Sequence, residues 1–379
     1  MNAPQKADKP RILMVGPVAP PAGGMASVMQ TLSHSPLNGD VELFVFANNS
    51  DWGRALGPLG AAIRHLVLML SLISRTIRKR IDLIHIHTCS FFSFYRNALD
   101  VVVLQMLGRK VILHLHGGRF ADFYERAGSV GRAVIRATLR RADAVIVLSE
   151  RWRQWINWHV PDASVRVVAN GVVVPRDPSP PAQRNPGPCR FLFLGLLAEP
   201  KGVFDLLAAC RSLHSDGVAF ELTLAGPWNS PAERDRFRSK VLLDRLGDCI
   251  HESGPVESSA RDSLFEDADV FILASHSEVM PVSVLEAMSH ALPVIGTDVG
   301  AVSEMVADAG AIVTPGHIDE LACAMRSLAA DPERCRTLGV LARRRVIDHF
   351  TDNAQARALD HLYRETLDVP PLVSAFARP

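Results

Sequence analysis

Two glutamates, Glu278 and Glu286, stand eight residues apart with Val279, Met280, Pro281 and Val282 following the first of them. An apolar run, Val270–Ala274, precedes the pair, and Pro281 suits the opening of a helix because its missing N–H is not needed there. The pair therefore spans a strand–loop–helix turn, with Glu278 on the loop and Glu286 inside the helix. Two carboxylates so placed can accept hydrogen bonds from sugar and ribose hydroxyls, while the helix N-terminus attracts phosphate. A solvated loop glutamate and an ordinary helical one would have the same spacing, so spacing alone leaves both readings open.

Other residues could serve the same chemistry. Lys201 sits just ahead of a helical pattern, where a cation can clamp a phosphate or simply face solvent. Gly23 and Gly24 follow the first strand and open a helix, which allows close backbone approach to a diphosphate. Gly16 to Gly24 lacks the G-x-G-x-x-G spacing of a dinucleotide site, which argues against NAD. Two H-x-H pairs, His85/His87 and His114/His116, end successive strands. Alternation puts each pair on one face, with His116 nearest the carboxyl edge. His85, His87 and His114 are expected to be structural. With no accompanying Cys or Asp cluster they are not expected to form a zinc site.

The elements that position these residues follow a βαβ rhythm. Strands are expected at Ile12–Gly16, Glu42–Ala47, Leu83–His87, Lys110–Leu115, Ala144–Leu148 and Val165–Ala169, with helices between. Pro175, Pro178, Pro180, Pro181, Pro186 and Pro188 then exclude regular structure and mark a linker. The rhythm restarts at Arg190–Gly195, Glu221–Ala225, Cys249–His251, Val270–Ala274 and Val294–Gly296, and helical sequence dominates from Ile318. The expectation is an α/β protein of two Rossmann-like domains, 1–178 and 188–351. The C-terminal stretch from about 352 to 379 should pack back on the first domain. Sites in such sheets lie beyond the carboxyl ends of the strands.

Composition agrees with that class. The chain has 379 residues, 48% hydrophobic and 21% charged, which excludes disorder, collagen-like sequence and coiled coil. Its six cysteines have no metal-like spacing and read as reduced thiols of a cytosolic protein. The longest uncharged apolar stretch, His65 to Ser74, is half of the roughly 20 residues a membrane span needs, so no span is expected. No signal-peptide core is expected at the N-terminus either. Residues 1–180 hold 22 Lys/Arg against 12 Asp/Glu, and the remainder hold 19 against 28. A basic N-terminal half suggests an anionic partner. No nucleic-acid-binding motif is present and aromatic content is only 6%, which turns the expectation away from nucleic acid. Basic segments at Arg75–Arg80 and Arg126–Arg141 suit either solvent or anionic lipid headgroups.

The run Glu278–Met288, continued by Ala291-Leu292-Pro293-Val294-Ile295-Gly296, resembles the signature of family-4 retaining glycosyltransferases. The resemblance extends to Asp82–His87, Val168–Val172, Gly195–Gly202 and Leu224–Gly226, and so to nearly the whole chain. It implies a GT-B fold, two Rossmann-like domains facing each other across a cleft. It further implies a donor of the UDP- or GDP-sugar type, no metal and no other cofactor. By resemblance, Glu286 holds the ribose hydroxyls and Glu278 the transferred sugar. His116 lies near that sugar, and Lys201 stabilises the leaving diphosphate. Gly23, Gly24, Gly195, Met280, Pro281 and Val282 complete the donor site. Two departures stand out: Val279 replaces the usual glycine after the first glutamate, and Leu196 replaces the usual diphosphate arginine.

The expected acceptor is a polyprenyl-diphosphate-linked saccharide in exopolysaccharide assembly. It would be met by a cytoplasmic protein held peripherally at the inner membrane face through its basic N-terminal half. A non-catalytic partner subunit of the same fold, and a dinucleotide-dependent oxidoreductase, remain as alternatives.

Overall fold

The computed structural model describes residues 9–18, 24–48, 57–176, 187–256 and 258–370. Gly23 and most of the proline-rich segment lie outside them. The chain divides into two compact units, 1–171 with 352–379, and 172–351.

The first unit runs β1 (Arg11–Gly16), α1 (Gly24–His34), α2 (Leu37–Asp40), β2 (Glu42–Ala47), α3 (Gly57–Arg78), β3 (Leu83–Thr88), α4 (Phe92–Met106), β4 (Lys110–Leu115), α5 (Phe120–Arg126), α6 (Ser129–Arg141), β5 (Ala144–Val147), α7 (Glu150–His159) and β6 (Val165–Val167). Its six strands are parallel in the order β2-β1-β3-β4-β5-β6. β3 is buried at every position and β4 at all but its first, as a sheet covered by helices on both faces requires.

The second unit runs β7 (Cys189–Leu194), α8 (Val203–Ser215), β8 (Phe220–Ala225), α9 (Pro231–Leu243), β9 (Ile250–Gly254), α10 (Ser258–Asp267), β10 (Val270–Leu273), α11 (Val282–Ser289), β11 (Val294–Thr297), α12 (Val302–Val306), β12 (Gly310–Val313), α13 (Ile318–Ala329) and α14 (Pro332–His349). Its sheet is parallel in the order β12-β11-β10-β7-β8-β9. The strand order reverses between β7 and β10, and at such a switch point the loops part and leave a crevice.

A last helix, α15 (Asp352–Leu367), belongs to the first unit. There Tyr363 is fully buried, and Gln355 Oε1 accepts from the Gly171 N–H at 3.1 Å.

Strand positions follow the expectation to within a residue or two, except at β9, which extends to Gly254. β12 was not expected: four residues, Gly-Ala-Ile-Val, at a sheet edge give too short a periodic signal. The expectation about membrane-length helices needs correction. Arg64 interrupts the apolar run without ending the helix, so α3 has 22 residues. Its Leu59–Arg78 part is long and apolar enough to cross a membrane, with only 17% of it buried.

Candidate active site

In the second unit the site residues gather at the carboxyl edge, around the β7/β10 switch point. After β7 the chain makes a short 3-10 turn, Glu199–Lys201, and then Gly202 adopts φ +73° before α8. A side chain at Gly202 would come within 2.0 Å of the Ala274 carbonyl at the end of β10, so only glycine lets the two strand exits touch. The His276 N–H donates to the Pro200 carbonyl at 3.0 Å, and His276 Nε2 lies 2.6 Å from Asp205 Oδ2. This stitching delivers Lys201 to the loop after β10, where its Nζ donates to Glu278 Oε1 at 2.6 Å.

Glu278 is held on further sides. Ser275 Oγ donates to Oε1 of the same carboxylate at 2.8 Å, and Thr297 Oγ1 from β11 donates to the Ser275 carbonyl at 2.6 Å. Gly300, at φ +56°, lies against the loop backbone: an added Cβ would sit 2.4 Å from the Val279 carbonyl and 2.5 Å from that of Glu278. The Ala301 N–H donates to the Val279 carbonyl at 2.6 Å. Val279, the departure from glycine, is buried, so its side chain is accommodated in the packing.

Pro281 takes the cap position of α11 and Val282 begins the helix, one residue later than expected. Met280 is buried, while Pro281 and Val282 are partly exposed beside the helix N-terminus. Gly195 follows β7 directly. Its own Cβ position is nearly clear, but its carbonyl would lie 1.8 Å from a Cβ on Gly226, which follows β8 at φ +137°.

Glu286 lies within α11, partnered by Arg261 of α10. Burial raises the Glu286 carboxyl to about 7, against the pull of Arg261. Arg261 is the functional candidate that sequence reasoning missed. Leu196 is 41% exposed and offers no cation, so a guanidinium enters this unit's site from a different element. Its only sequence signal is the need of a buried carboxylate for a positive neighbour, which does not specify a position.

In the first unit, Gly24 opens α1 and is exposed, and among the described residues an added Cβ there would meet no atom within 4 Å. His116 lies just past β4, its N–H donating to the Thr88 carbonyl at 2.8 Å and its Nε2 2.9 Å from His87 Nδ1. Desolvation lowers His116 to about 3, so the ring is neutral. Sequence reasoning took the histidines of each strand separately, whereas the sheet stacks all four rings.

The basic segment 126–141 does not form one helix: α5 ends at Arg126 and α6 starts at Ser129. Three of its five arginines, all exposed, have partners within the protein. Arg132 donates to the carbonyls of Tyr124 and Glu125, Arg136 Nε to Tyr124 Oη at 2.7 Å, and Arg140 pairs with Asp162.

Comparison with known proteins agrees with this architecture. Residues 178–345 match the family described as glycosyl transferases group 1, and residues 24–171 match the glycosyl transferase 4-like domain. Glycogen synthase of Mycobacterium tuberculosis is 27% identical over 203 residues, 53% of this chain and 48% of that one. The amylovoran biosynthesis glycosyltransferase AmsK of Erwinia amylovora is 26% identical over 180 residues, covering 45% of this chain and 44% of its own. The chain thus spans about half the length of these curated relatives. Among solved structures, sucrose-phosphate synthase of Thermosynechococcus elongatus superposes with TM-score 0.78 at 21% identity, covering 94% of this chain and 99% of that one. Anabaena HepE in complex with UDP gives TM-score 0.72 at 16% identity, over 94% and 100% of the two chains. With both of its parts matched by glycosyltransferase families and its fold that of GT-B proteins, the chain belongs to the family-4 glycosyltransferases.

Proposed function

We propose that the protein moves a sugar from a UDP- or GDP-sugar to a hydroxyl of a lipid-linked saccharide, with retention of anomeric configuration. The observation that carries this reading is the Lys201–Glu278 ion pair at the switch point, followed on α11 by Glu286 with Arg261. When the donor binds, its diphosphate takes Lys201 and the N-terminus of α11, and Glu278 is released to the sugar hydroxyls. Glu286 accepts from the ribose. Gly195 and the backbone at Met280, Pro281 and Val282 flank the donor, and Gly24 leaves room for a phosphate at α1. Gly23, whose position lies outside the described residues, is assigned the same role. His116 is assigned to a sugar hydroxyl as a neutral hydrogen-bond partner.

In the transfer, the bond from the anomeric carbon to the diphosphate oxygen breaks as a bond from the acceptor oxygen forms on the same face. The acceptor proton passes to the departing phosphate. Charge developing on the leaving group is met by Lys201 and helix N-termini, so no metal is assigned to this step. The relationship to HepE, which binds UDP, and to a glycosyltransferase of amylovoran biosynthesis supports the donor class and a role in polysaccharide assembly. An NMR time course of the first-formed product tests it. Product with the donor's anomeric configuration is expected, and an inverted product would overturn the retaining reading.

Membrane contact is assigned to α3 in place of α6. Leu59, Leu66 and Leu70 are 69%, 50% and 56% exposed, with Ile63, Val67 and Ile77 also exposed. Arg75, Arg78, Lys79 and Arg80 form a basic end beside them. β2 and β3, which α3 connects, both pair with β1, so a helix crossing the bilayer would place two strands of one sheet on opposite sides. α3 therefore lies in the headgroup region of an anionic membrane, which we take to be the cytoplasmic face, where a lipid-linked acceptor would be met.

A further inference from the structure

β3 and β4 are adjacent and parallel, with His87 opposite His114 in register. Alternation turns all four histidines of the two strands to one face of the sheet. The rings of His85, His87 and His114 have centroids 4.3 Å (85–87), 5.0 Å (87–114) and 5.2 Å (85–114) apart. All three residues are buried, and one nitrogen from each can be chosen so that all lie within 4.8 Å of one another.

A hydrogen-bonded ladder of neutral imidazoles does not account for this cluster. Each neutral ring carries one N–H and one lone pair. His85 Nδ1 lies 2.6 Å from Tyr363 Oη, and its Nε2 3.1 Å from His114 Nδ1. His87 Nδ1 lies 2.9 Å from His116 Nε2. Among the described residues, the Nε2 atoms of His87 and His114 are left buried with no partner, whichever tautomers are chosen. In addition, Nδ1 of His85 and of His87 is tied to Tyr363 and His116, the outer hydrogen bonds that orient metal-bound histidines.

We propose that His85, His87 and His114 form a buried site for a first-row transition ion of the zinc class, with His85 and His87 ligating through Nε2 and His114 through the Nδ1 that faces His85, so that the ion satisfies the orphaned Nε2 of His87. Two nitrogens each about 2.0–2.1 Å from a tetrahedral zinc lie roughly 3.3 Å apart. The His85–His114 pair, at 3.1 Å, is therefore already at ligand spacing, and His87 closes by ring rotation. Three imidazoles without a carboxylate favour zinc, copper or nickel and give magnesium or calcium nothing they prefer. Neither H-x-H pair alone has a third ligand, and the strand register supplies it. The ion has a structural role: it ties β3 and β4 together and, through Tyr363, to α15.

The full chain, purified free of any histidine tag and without added metal, is analysed by plasma mass spectrometry. The apoprotein is then unfolded thermally with Zn2+ or Mg2+ alone. Close to one zinc per chain is expected, with a midpoint raised by Zn2+ only. His87→Ala and His114→Ala should lose both the ion and the shift. Should these variants fail to fold, Co2+ titration of the wild-type apoprotein replaces them, with visible d–d absorption of a tetrahedral site expected. A folded wild type that retains no zinc and does not respond to it would overturn the site. Equal stabilisation by Mg2+, undiminished zinc in folded variants, or cobalt spectra of the free ion would do the same.

Discussion

Lys201 Nζ and Glu278 Oε1 are 2.6 Å apart although 77 residues separate them in the chain. The pair is partly sheltered, with side chains 32% and 14% exposed. Each group thus compensates the other's charge; in the proposed function, the donor's diphosphate would replace Glu278 at Lys201 and the sugar hydroxyls would replace Lys201 at Glu278.

Lys201→Met should leave the protein folded at a cost of about 1–3 kcal/mol, because the sheltered Glu278 carboxylate loses its cation and keeps Ser275 Oγ as a donor. It should lower kcat/KM by roughly 10- to 100-fold, since a charged hydrogen bond to the leaving group contributes about 1.5–3 kcal/mol. Steady-state kinetics beside a thermal melt separates the two effects. Wild-type kinetics in the variant would place the phosphate elsewhere.

Glu286 makes stability depend on pH. Its folded value, about 7, lies above the ordinary 4.5, so between these values the folded state binds the proton more tightly than the unfolded state. Stability should therefore be highest at low pH and fall as pH rises through 7, by on the order of 3 kcal/mol from this group. Urea melts across this range check it, and Glu286→Gln should remove the slope. Nucleotide affinity should move the other way, rising through pH 7 as the carboxylate forms to accept ribose hydroxyls.

Gly300→Ala puts a methyl group against two carbonyls at a φ that side chains rarely adopt. The expected cost is about 1–3 kcal/mol of stability, with activity falling further because the Glu278 loop must move. Melting temperature and kcat, measured together, should both decline; an unchanged kcat would show that the loop position does not matter.

Leu66→Glu with Leu70→Glu should weaken co-sedimentation with anionic vesicles and leave activity on a water-soluble acceptor analogue intact. Added salt should weaken binding too, since the screening length is about 10 Å at 0.1 M. The same pelleting by the double variant would remove α3 as the contact. Arg136→Glu, by contrast, should destabilise the fold by freeing Tyr124 Oη.

The strands, the tandem α/β arrangement and the Glu278–Glu286 turn were legible because they are local: periodicity, Pro281 and the apolar run before the loop lie within a few residues of one another. What escaped the sequence depends on distant segments. Arg261 reaches Glu286 from a neighbouring helix, and Lys201 meets Glu278 only because Gly202 lets two loops touch. The four histidines form a cluster only through the β3/β4 register. The basic stretch 126–141 reads in sequence as one helical segment, and neither its break between α5 and α6 nor the partners of Arg132, Arg136 and Arg140 can be seen in charge counts. α3 was underestimated because one arginine cut its apolar run in two.

The most direct test of the central claim is calorimetric titration of the purified chain with UDP, GDP, their sugar conjugates and NAD, repeated on Lys201→Met and Glu286→Ala. The account predicts that a uridine or guanosine diphosphate sugar binds the wild type and that each variant binds it at least about 10-fold more weakly. Binding of NAD alone, or nucleotide-sugar affinity unchanged in both folded variants, would contradict it.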